Sequence, residues 1–289
     1  MEPSKSRKPL LDYIYVPITL KCNRNCKGCV CFSPLVKKET EISLSSFEKA
    51  LIRLIEIIGS SGVETLQQFD ISGGEPLIHS NLLEFLRIAR DKLPYTYIVI
   101  RSNGLLLPEF IITNYKILQD LKIGISICPY PEIDRKNISD LCKRFKLRFS
   151  EKHETTDFRF IKTGISLMPN YREMSNEWER CSDGNSCHTL RIIDDNTAYY
   201  TGCSTPAYID IFDEYFNISF ENLLKKGDRI NIFNKDTSLN TLLDFHQPIA
   251  FCAHCRRRTG IFYENTEISE RNIDEWLVGS SHINKVCFY

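Results

Sequence analysis

The chain is 289 residues long, and its 37 Lys+Arg residues balance 37 Asp+Glu residues. That length suits one large domain plus a small one, and the balance leaves no global field to recruit nucleic acid or an anionic membrane. The polar start, Met1 to Lys8, lacks the apolar stretch of a secretory signal, and no run of about eighteen apolar residues offers a membrane span. With twelve cysteines, these features predict a soluble cytoplasmic protein whose thiols serve metal binding or catalysis rather than disulfides.

Residues 1–9 read as a disordered basic tail. Tyr13 to Thr19, rich in β-branched and aromatic residues, predicts a buried strand. A polar loop follows it, Cys22-Asn-Arg-Asn-Cys26-Lys-Gly-Cys29. Ser45-x-x-Glu48 offers a capping box, and Phe47, Leu51, Leu54, Ile55 and Ile58 recur at helical spacing before Gly59 to Gly62 stop the helix. Leu66 to Ile71 predicts a second strand that ends on Gly73-Gly74-Glu75-Pro76. Ser80 is the expected cap of the next helix. Tyr95 to Ile100 reads as a third strand closed by Arg101-Ser102-Asn103-Gly104, Glu109 to Gln119 as a helix, and Leu121 to Ile127 as a fourth strand carrying Ser126. A helical pattern over 132–146 and shorter strand candidates at Leu147–Phe149 and Phe158–Ile161 follow. Such alternation implies a parallel sheet with covered faces. In α/β barrels the chemistry sits at the C-terminal strand ends, where all these motifs fall.

The pattern changes after about residue 170. Thr189 to Ile193 and Thr197 to Thr201 flank the turn cluster Asp194-Asp195-Asn196 and predict a hairpin, with Cys187 before it and Cys203 after it. Ala207 to Phe216 reads as an aromatic helix. Cys252-Ala-His-Cys255 comes later, ahead of Arg256-Arg257-Arg258. Residues 263–289 carry no readable motif.

Three thiols spaced x3 and x2 can ligate three irons of a four-iron cluster and leave the fourth open. A zinc loop or three unconnected core cysteines are the plainer readings of that pattern alone. The spacing resembles the CxxxCxxC signature of the radical SAM superfamily, and Gly73-Gly74-Glu75-Pro76, roughly one βα unit downstream, resembles its GGEP motif. The resemblance implies a partial (β/α)6 barrel over residues 10–178, with Cys22, Cys26 and Cys29 holding a [4Fe–4S] cluster that binds S-adenosylmethionine. It implies that Gly73, Gly74, Glu75 and Pro76 face that cofactor, with Glu75 accepting from its ammonium group. Ser102 and Asn103 resemble the family's Thr-Asn-Gly segment, and Ser126 resembles the serine that contacts the ribose or carboxylate end. Two departures stand out. Gly28 occupies the position before the third cysteine, where many members carry an aromatic near the adenine. Cys128 replaces the usual aspartate two residues beyond Ser126. Cys31 falls outside the x3-x2 register and reads as a neighbouring or packing thiol.

Cys187, Cys203, Cys252 and Cys255 form two pairs, which suit tetrahedral zinc as well as a cluster. Cys181 could replace one of them. The arrangement resembles the twitch domain, a shortened relative of SPASM domains, here over residues 179–262, and implies an auxiliary [4Fe–4S] cluster; 263–289 is then an extension of unknown role. A cluster with four protein thiolates cannot chelate S-adenosylmethionine, which leaves electron transfer as its role. The layout is similar to that of the radical SAM dehydrogenase of butirosin biosynthesis. It implies a two-electron oxidation of a small-molecule substrate, a sugar or cyclitol alcohol, with an external electron donor such as flavodoxin or ferredoxin. Arg159 and Lys162 are candidates for the base. Two alternatives are a radical SAM maturase of a ribosomally synthesised peptide, acting by crosslinking or epimerisation, and a non-enzymatic iron–sulfur or zinc module. A first strand starting near residue 13, with no leader-recognition segment ahead of it, disfavours the maturase. Intact Cys22, Cys26, Cys29 and Glu75 disfavour the module.

Overall fold

Strand β1 (Leu11–Thr19) lies inside an eight-stranded sheet of order β10-β9-β8-β1-β2-β3-β4-β5. This computed structural model describes residues 11–38, 41–59, 66–128, 130–151, 159–162, 164–179, 188–225, 227–256, 261–264 and 266–278. The tail 1–9, the Arg159 side chain and Cys181, Cys187, Arg257, Arg258 and Cys287 therefore lie outside the described residues. β2 (Leu66–Gly73), β3 (Tyr97–Ser102), β4 (Gly124–Ile127) and β5 (Arg148–Glu151) follow β1 in parallel, each paired with its predecessor. The connections are helical: α1 (Leu44–Ile58), α2 (Leu82–Lys92), α3 (Leu107–Asp120) and α4 (Arg135–Arg144).

The two faces of the sheet differ because side chains alternate along each strand. Ile14, Val16, Ile18, Phe69, Ile71, Ile98, Ile100, Ile125 and Ile127 form one core with Phe47, Leu51, Leu54, Phe85, Leu86, Ile111 and Ile138 of the helices. The alternate positions, Tyr13, Tyr15, Gln68, Asp70, Arg101, Ser126 and Arg148, make the other face polar and aromatic.

Local signals hold with small shifts of boundary. α1 starts earlier than the Ser45 capping box implies, because Ser43 is the cap and its Oγ accepts from the Ser46 amide at 3.0 Å. Ser45 and Ser46 instead turn their hydroxyls to Asp195. Asn81 rather than Ser80 precedes α2, and its side chain makes no cap. α3 begins two residues before Glu109, since Pro108 fits a first helical turn, where its missing N–H is not needed.

The predicted hairpin forms as β8 (His188–Asp194) and β9 (Thr197–Thr201), and a helix spans Ser204–Phe216 as α5. The hairpin extends the main sheet, for β8 runs parallel to β1, Ile14 opposite His188, and β10 (Ile230–Asn231) closes that side. The strand expected at Phe158–Ile161 is β6 (Arg159–Ile161), and it leaves the sheet to pair antiparallel with β12 (Phe262–Glu264). Elsewhere, β7 (Gly164–Ile165) pairs with β11 (Cys255–Arg256). A second core gathers Phe32, Leu35, Ala207, Tyr208, Phe212, Phe251, Trp276 and Leu277. Among the described residues, no helix is long and apolar enough to cross a membrane.

Candidate iron–sulfur and cofactor site

The C-terminal ends of β1, β2 and β3 are tied together by backbone and by one carboxylate. The Gly74 amide donates to the Thr19 carbonyl at 2.9 Å, and the Glu75 amide to that of Lys21 at 2.8 Å. A Cβ on Gly73 would sit 2.1 Å from the Thr19 oxygen, and one on Gly74 2.1 Å from the Lys21 oxygen. Glycine is required at both positions by the approach of the neighbouring strand's own backbone, before any ligand is considered. The consequence is that the GGEP segment fixes the residue immediately before Cys22.

Glu75 is fully buried. Its carboxylate accepts from the Asn103 amide at 2.7 Å, the Ser102 hydroxyl at 2.9 Å and the Leu77 amide at 3.1 Å. Burial pushes the Glu75 carboxyl up, and these three donors act against it. Oε1 takes two of the bonds and Oε2 one, so acceptor capacity remains on Oε2. Pro76 opens the short 3-10 turn that Glu75 caps. Asn103 also reaches the cysteine loop, donating to Asn23 Oδ1 at 2.7 Å and lying 3.9 Å from Cys22 Sγ. Gly73, Gly74, Glu75, Pro76, Ser102, Asn103 and Cys22 thus share one neighbourhood.

The three loop thiols differ sharply. Burial, together with negative charge at Cys29, Glu75 and Cys26, pushes the Cys22 thiol up to about 12, although the Arg24 amide donates to it. The Cys31 thiol, with the Ser33 and Cys31 amides, holds Cys29 down to about 6 against burial. Cys31 thus stands within hydrogen-bond reach of Cys29. Cys26 Sγ lies 3.5 Å from the Tyr130 hydroxyl, whose ring carries the Arg24 guanidinium at 3.7 Å. Burial, with the negative charge of Cys128 and Cys26 when ionised, pushes the Tyr130 phenol up, so it stays protonated. Ionising all three thiols together on one buried loop is unfavourable without a cation, and a positively charged iron core would relieve it.

Among the described residues, no three His, Cys, Asp or Glu side chains stand close enough to grip one metal ion. Thiolates on separate irons of a cluster stand farther apart than ligands sharing an ion. The loop's sulfurs are electrostatically coupled without being crowded, and the donor set fits a cluster.

Ser126 lies elsewhere, on the polar face of the sheet, with its Oγ 3.4 Å from Arg101 Nη1. Arg101 donates through Nε to Asp70 Oδ2 at 2.6 Å and faces the Tyr15 ring at 4.7 Å. Asp70 is fully buried and also accepts from Gln68 at 2.7 Å. This polar layer was not singled out from the sequence, although a carboxylate between Phe69 and Ile71 in a buried strand is a detectable signal.

Of the second thiol set, Cys203 occupies the N-cap position of α5. Cys252 lies within the 3-10 turn Ala250–His254, and Cys255 opens β11. Cys187 lies outside the described residues, so the set of four is not brought together here. His254 Nδ1 lies 2.9 Å from the Ser166 carbonyl. Lys162 donates through Nζ to the Asp274 carbonyl, and burial pulls its pKa down.

Residues 15–153 match the family described as a 4Fe-4S single cluster domain. The chain is 33% identical over 101 residues to the GTP 3',8-cyclase of Sulfurovum sp. (strain NBC37-1), a match covering 34% of this chain and 29% of that protein. It is 31% identical over 102 residues to the GTP 3',8-cyclase of Heliobacterium modesticaldum (strain ATCC 51547 / Ice1), covering 35% and 29%. The match thus spans less than a third of those curated relatives. Among solved structures, BtrN in complex with AdoMet and 2-DOIA aligns with TM-score 0.48 and 14% identity over 90% of this chain and 97% of that one. Streptococcus suis SuiB bound to S-adenosylmethionine aligns with TM-score 0.40 and 13% identity over 82% and 66%. The fold is an α/β sheet in which β1 to β5 and β8 run parallel. Over residues 15–153, just under half of its length, the chain is similar to this family of 4Fe-4S cluster domains.

Proposed function

We propose that this protein is a radical SAM oxidoreductase that performs a two-electron oxidation of a small hydroxylated substrate, a sugar or cyclitol alcohol, with a second cluster as electron acceptor. One observation carries the radical SAM part: Glu75, Ser102, Asn103 and the Cys22 thiol, drawn from the ends of three parallel strands, meet in one neighbourhood. Cys22, Cys26 and Cys29 would hold the first cluster, and Cys187, Cys203, Cys252 and Cys255 the second. When bound, the first cluster and S-adenosylmethionine supply the 5′-deoxyadenosyl radical that removes a substrate hydrogen.

The chain's own residues do the rest. Glu75 presents its spare acceptor position at Oε2 for an ammonium group, held in place by Ser102 and Asn103. The GGEP backbone keeps Cys22 in register with that carboxylate. Tyr15, Gln68, Asp70, Arg101 and Ser126 supply donors and acceptors on the sheet face opposite the helices, which supports a substrate rich in hydroxyl groups. An external electron donor is the required partner.

Anaerobic reconstitution tests the reading. About eight irons should bind, and Cys22→Ala/Cys26→Ala/Cys29→Ala should leave about four. Wild-type protein should release 5′-deoxyadenosine under dithionite, and Cys252→Ala/Cys255→Ala should lower ketone formed per deoxyadenosine. Tightly held zinc in place of the second set of irons, or equal ketone yield in that variant, would remove the oxidation part and leave the superfamily chemistry standing.

A further inference from the structure

A segment from the far end of the chain, residues 261–264 and 266–278, lies against the outside of the cysteine loop. The Lys27 amide donates to the Glu267 carbonyl at 3.0 Å, and the Ser269 amide donates to the Asn25 carbonyl at 2.7 Å. Cys26 and Ile268 form an antiparallel bridge between those bonds. The Trp276 indole N–H donates to the Cys29 carbonyl at 3.0 Å. Trp276 is fully buried, with its ring centroid 6.0 Å from that of Phe32 and 6.3 Å from those of both Phe212 and Phe216. The segment is itself anchored, because the Ile165 amide donates to the Trp276 carbonyl at 2.7 Å and the Val278 amide to the Ile165 carbonyl at 2.9 Å.

Gly28 explains part of this contact. Its φ is +66°, and a Cβ there would lie 2.7 Å from two atoms of the Tyr263 ring. The Tyr263 hydroxyl donates to the Glu275 carbonyl at 3.1 Å, which pins the ring over the loop. The space beside the third cysteine is filled by an aromatic from this distant segment.

We propose that residues 261–264 and 266–278 are the outer wall of the cysteine loop, with Trp276 and Tyr263 as positioning residues that hold the Cys26–Cys29 backbone in ligating geometry. This rests on Cys22, Cys26 and Cys29 being the cluster ligands. Within the loop itself, two backbone bonds act in the same place: Cys29 amide to Cys26 carbonyl at 3.3 Å, and Phe32 amide to Cys29 carbonyl at 3.1 Å. The wall supplies three more, at Lys27, Asn25 and Cys29. A peptide plane fixed from both sides fixes the Cα–Cβ vector of its cysteine, and such outer contacts orient metal ligands.

The test uses full-length protein carrying Cys252→Ala/Cys255→Ala, reconstituted anaerobically, so that the loop alone reports. Trp276→Phe keeps an aromatic ring and deletes the N–H. It should still unfold cooperatively, at a temperature lowered by the trimmed core ring, and bind about four irons, yet lose its cluster to a ferrous chelator about five-fold faster, the factor that matches roughly 1 kcal/mol for one hydrogen bond. The electron paramagnetic resonance spectrum of its reduced cluster should shift. Ser269→Pro, which deletes the amide donated to Asn25 without entering the core, should also speed the loss and decides the matter if Trp276→Phe does not fold. Chelator rates and spectra equal to the parent's in the folded variants would overturn the wall. A parent that binds no iron, or iron that survives Cys22→Ala, would overturn the ligand assignment instead. Hydrogen exchange of the apo protein, faster at Lys27 and Cys29 in the variants, then still judges the wall by itself.

Discussion

Replacing Glu75 by glutamine exchanges one carboxylate oxygen for an NH2 group at a site with no exposure to water. The carboxylate accepts three bonds, from Leu77, Ser102 and Asn103. A glutamine oxygen can keep two of them through Oε1. Its nitrogen then faces the Asn103 amide, donor against donor, and leaves that buried N–H without an acceptor. Such a loss costs about 1–3 kcal/mol. Part is returned because the neutral amide escapes the burial that raises the Glu75 pKa, so a net loss of about 1–2 kcal/mol is expected. Glu75→Ala strands all three donors and should cost about 3 kcal/mol or more. The assay is guanidinium unfolding of the apo protein followed by circular dichroism. Because burial raises the native pKa above the unfolded value, the native state takes up this proton first as pH falls. The group therefore adds stability on acidification from neutral pH toward about 4.5, and Glu75→Gln should remove that slope. Stabilities of both variants within about 0.5 kcal/mol of wild type would refute the claim that this carboxylate ties β2 to β3.

Arg101→Met leaves Asp70 buried and short of its cation, which should cost about 3 kcal/mol, whereas Asp70→Leu/Arg101→Met should recover most of it in the same unfolding assay. Gly74→Ala drives a Cβ into the Lys21 oxygen and should lower stability by about 1–3 kcal/mol while increasing the alkylation rate of Cys22 in the apo protein. In wild-type apo protein near neutral pH, iodoacetamide should label Cys29 before Cys22, since their thiols are held at about 6 and about 12; peptide mapping reads the order. Burial holds the His79 imidazole below its ordinary value, so the unfolded chain protonates first and stability falls as pH drops through about 6.5. His79→Gln should flatten that fall in thermal melts.

The alternation of strands and helices through residue 151 was legible because it is local. Each strand shows a run of β-branched or aromatic residues, and each helix a periodic apolar face. The cap shifts at Ser43 and Asn81 arose where two serines or a serine and an asparagine compete within a few positions, and tertiary partners decide among them. Ser45 and Ser46, for instance, are claimed by Asp195 from the β8–β9 turn. The pairing of β6 with β12 and of β8 with β1 was not legible. Those contacts join residues far apart in the chain, and three-residue strands carry no register of their own. The reason for Gly73 and Gly74 was also hidden, because the atoms that exclude a side chain there belong to the neighbouring strand and the loop after it.

The site divides in the same way. Its ligand candidates are close in sequence, Cys22 to Cys29 and Gly73 to Pro76, so a short pattern finds them and a family match over residues 15–153 contains them. The groups that pin the loop from outside, Tyr263, Glu267, Ser269 and Trp276, lie beyond that stretch. A cluster's potential and lifetime depend on hydrogen bonds and shielding around its sulfurs as well as on the sulfurs themselves. Two chains sharing the first half can therefore hold the same cofactor and differ in what they do with it. The polar sheet face makes the same point from the other side, for Asp70, Arg101 and Ser126 come from three strands and form one layer only when the parallel register sets them level.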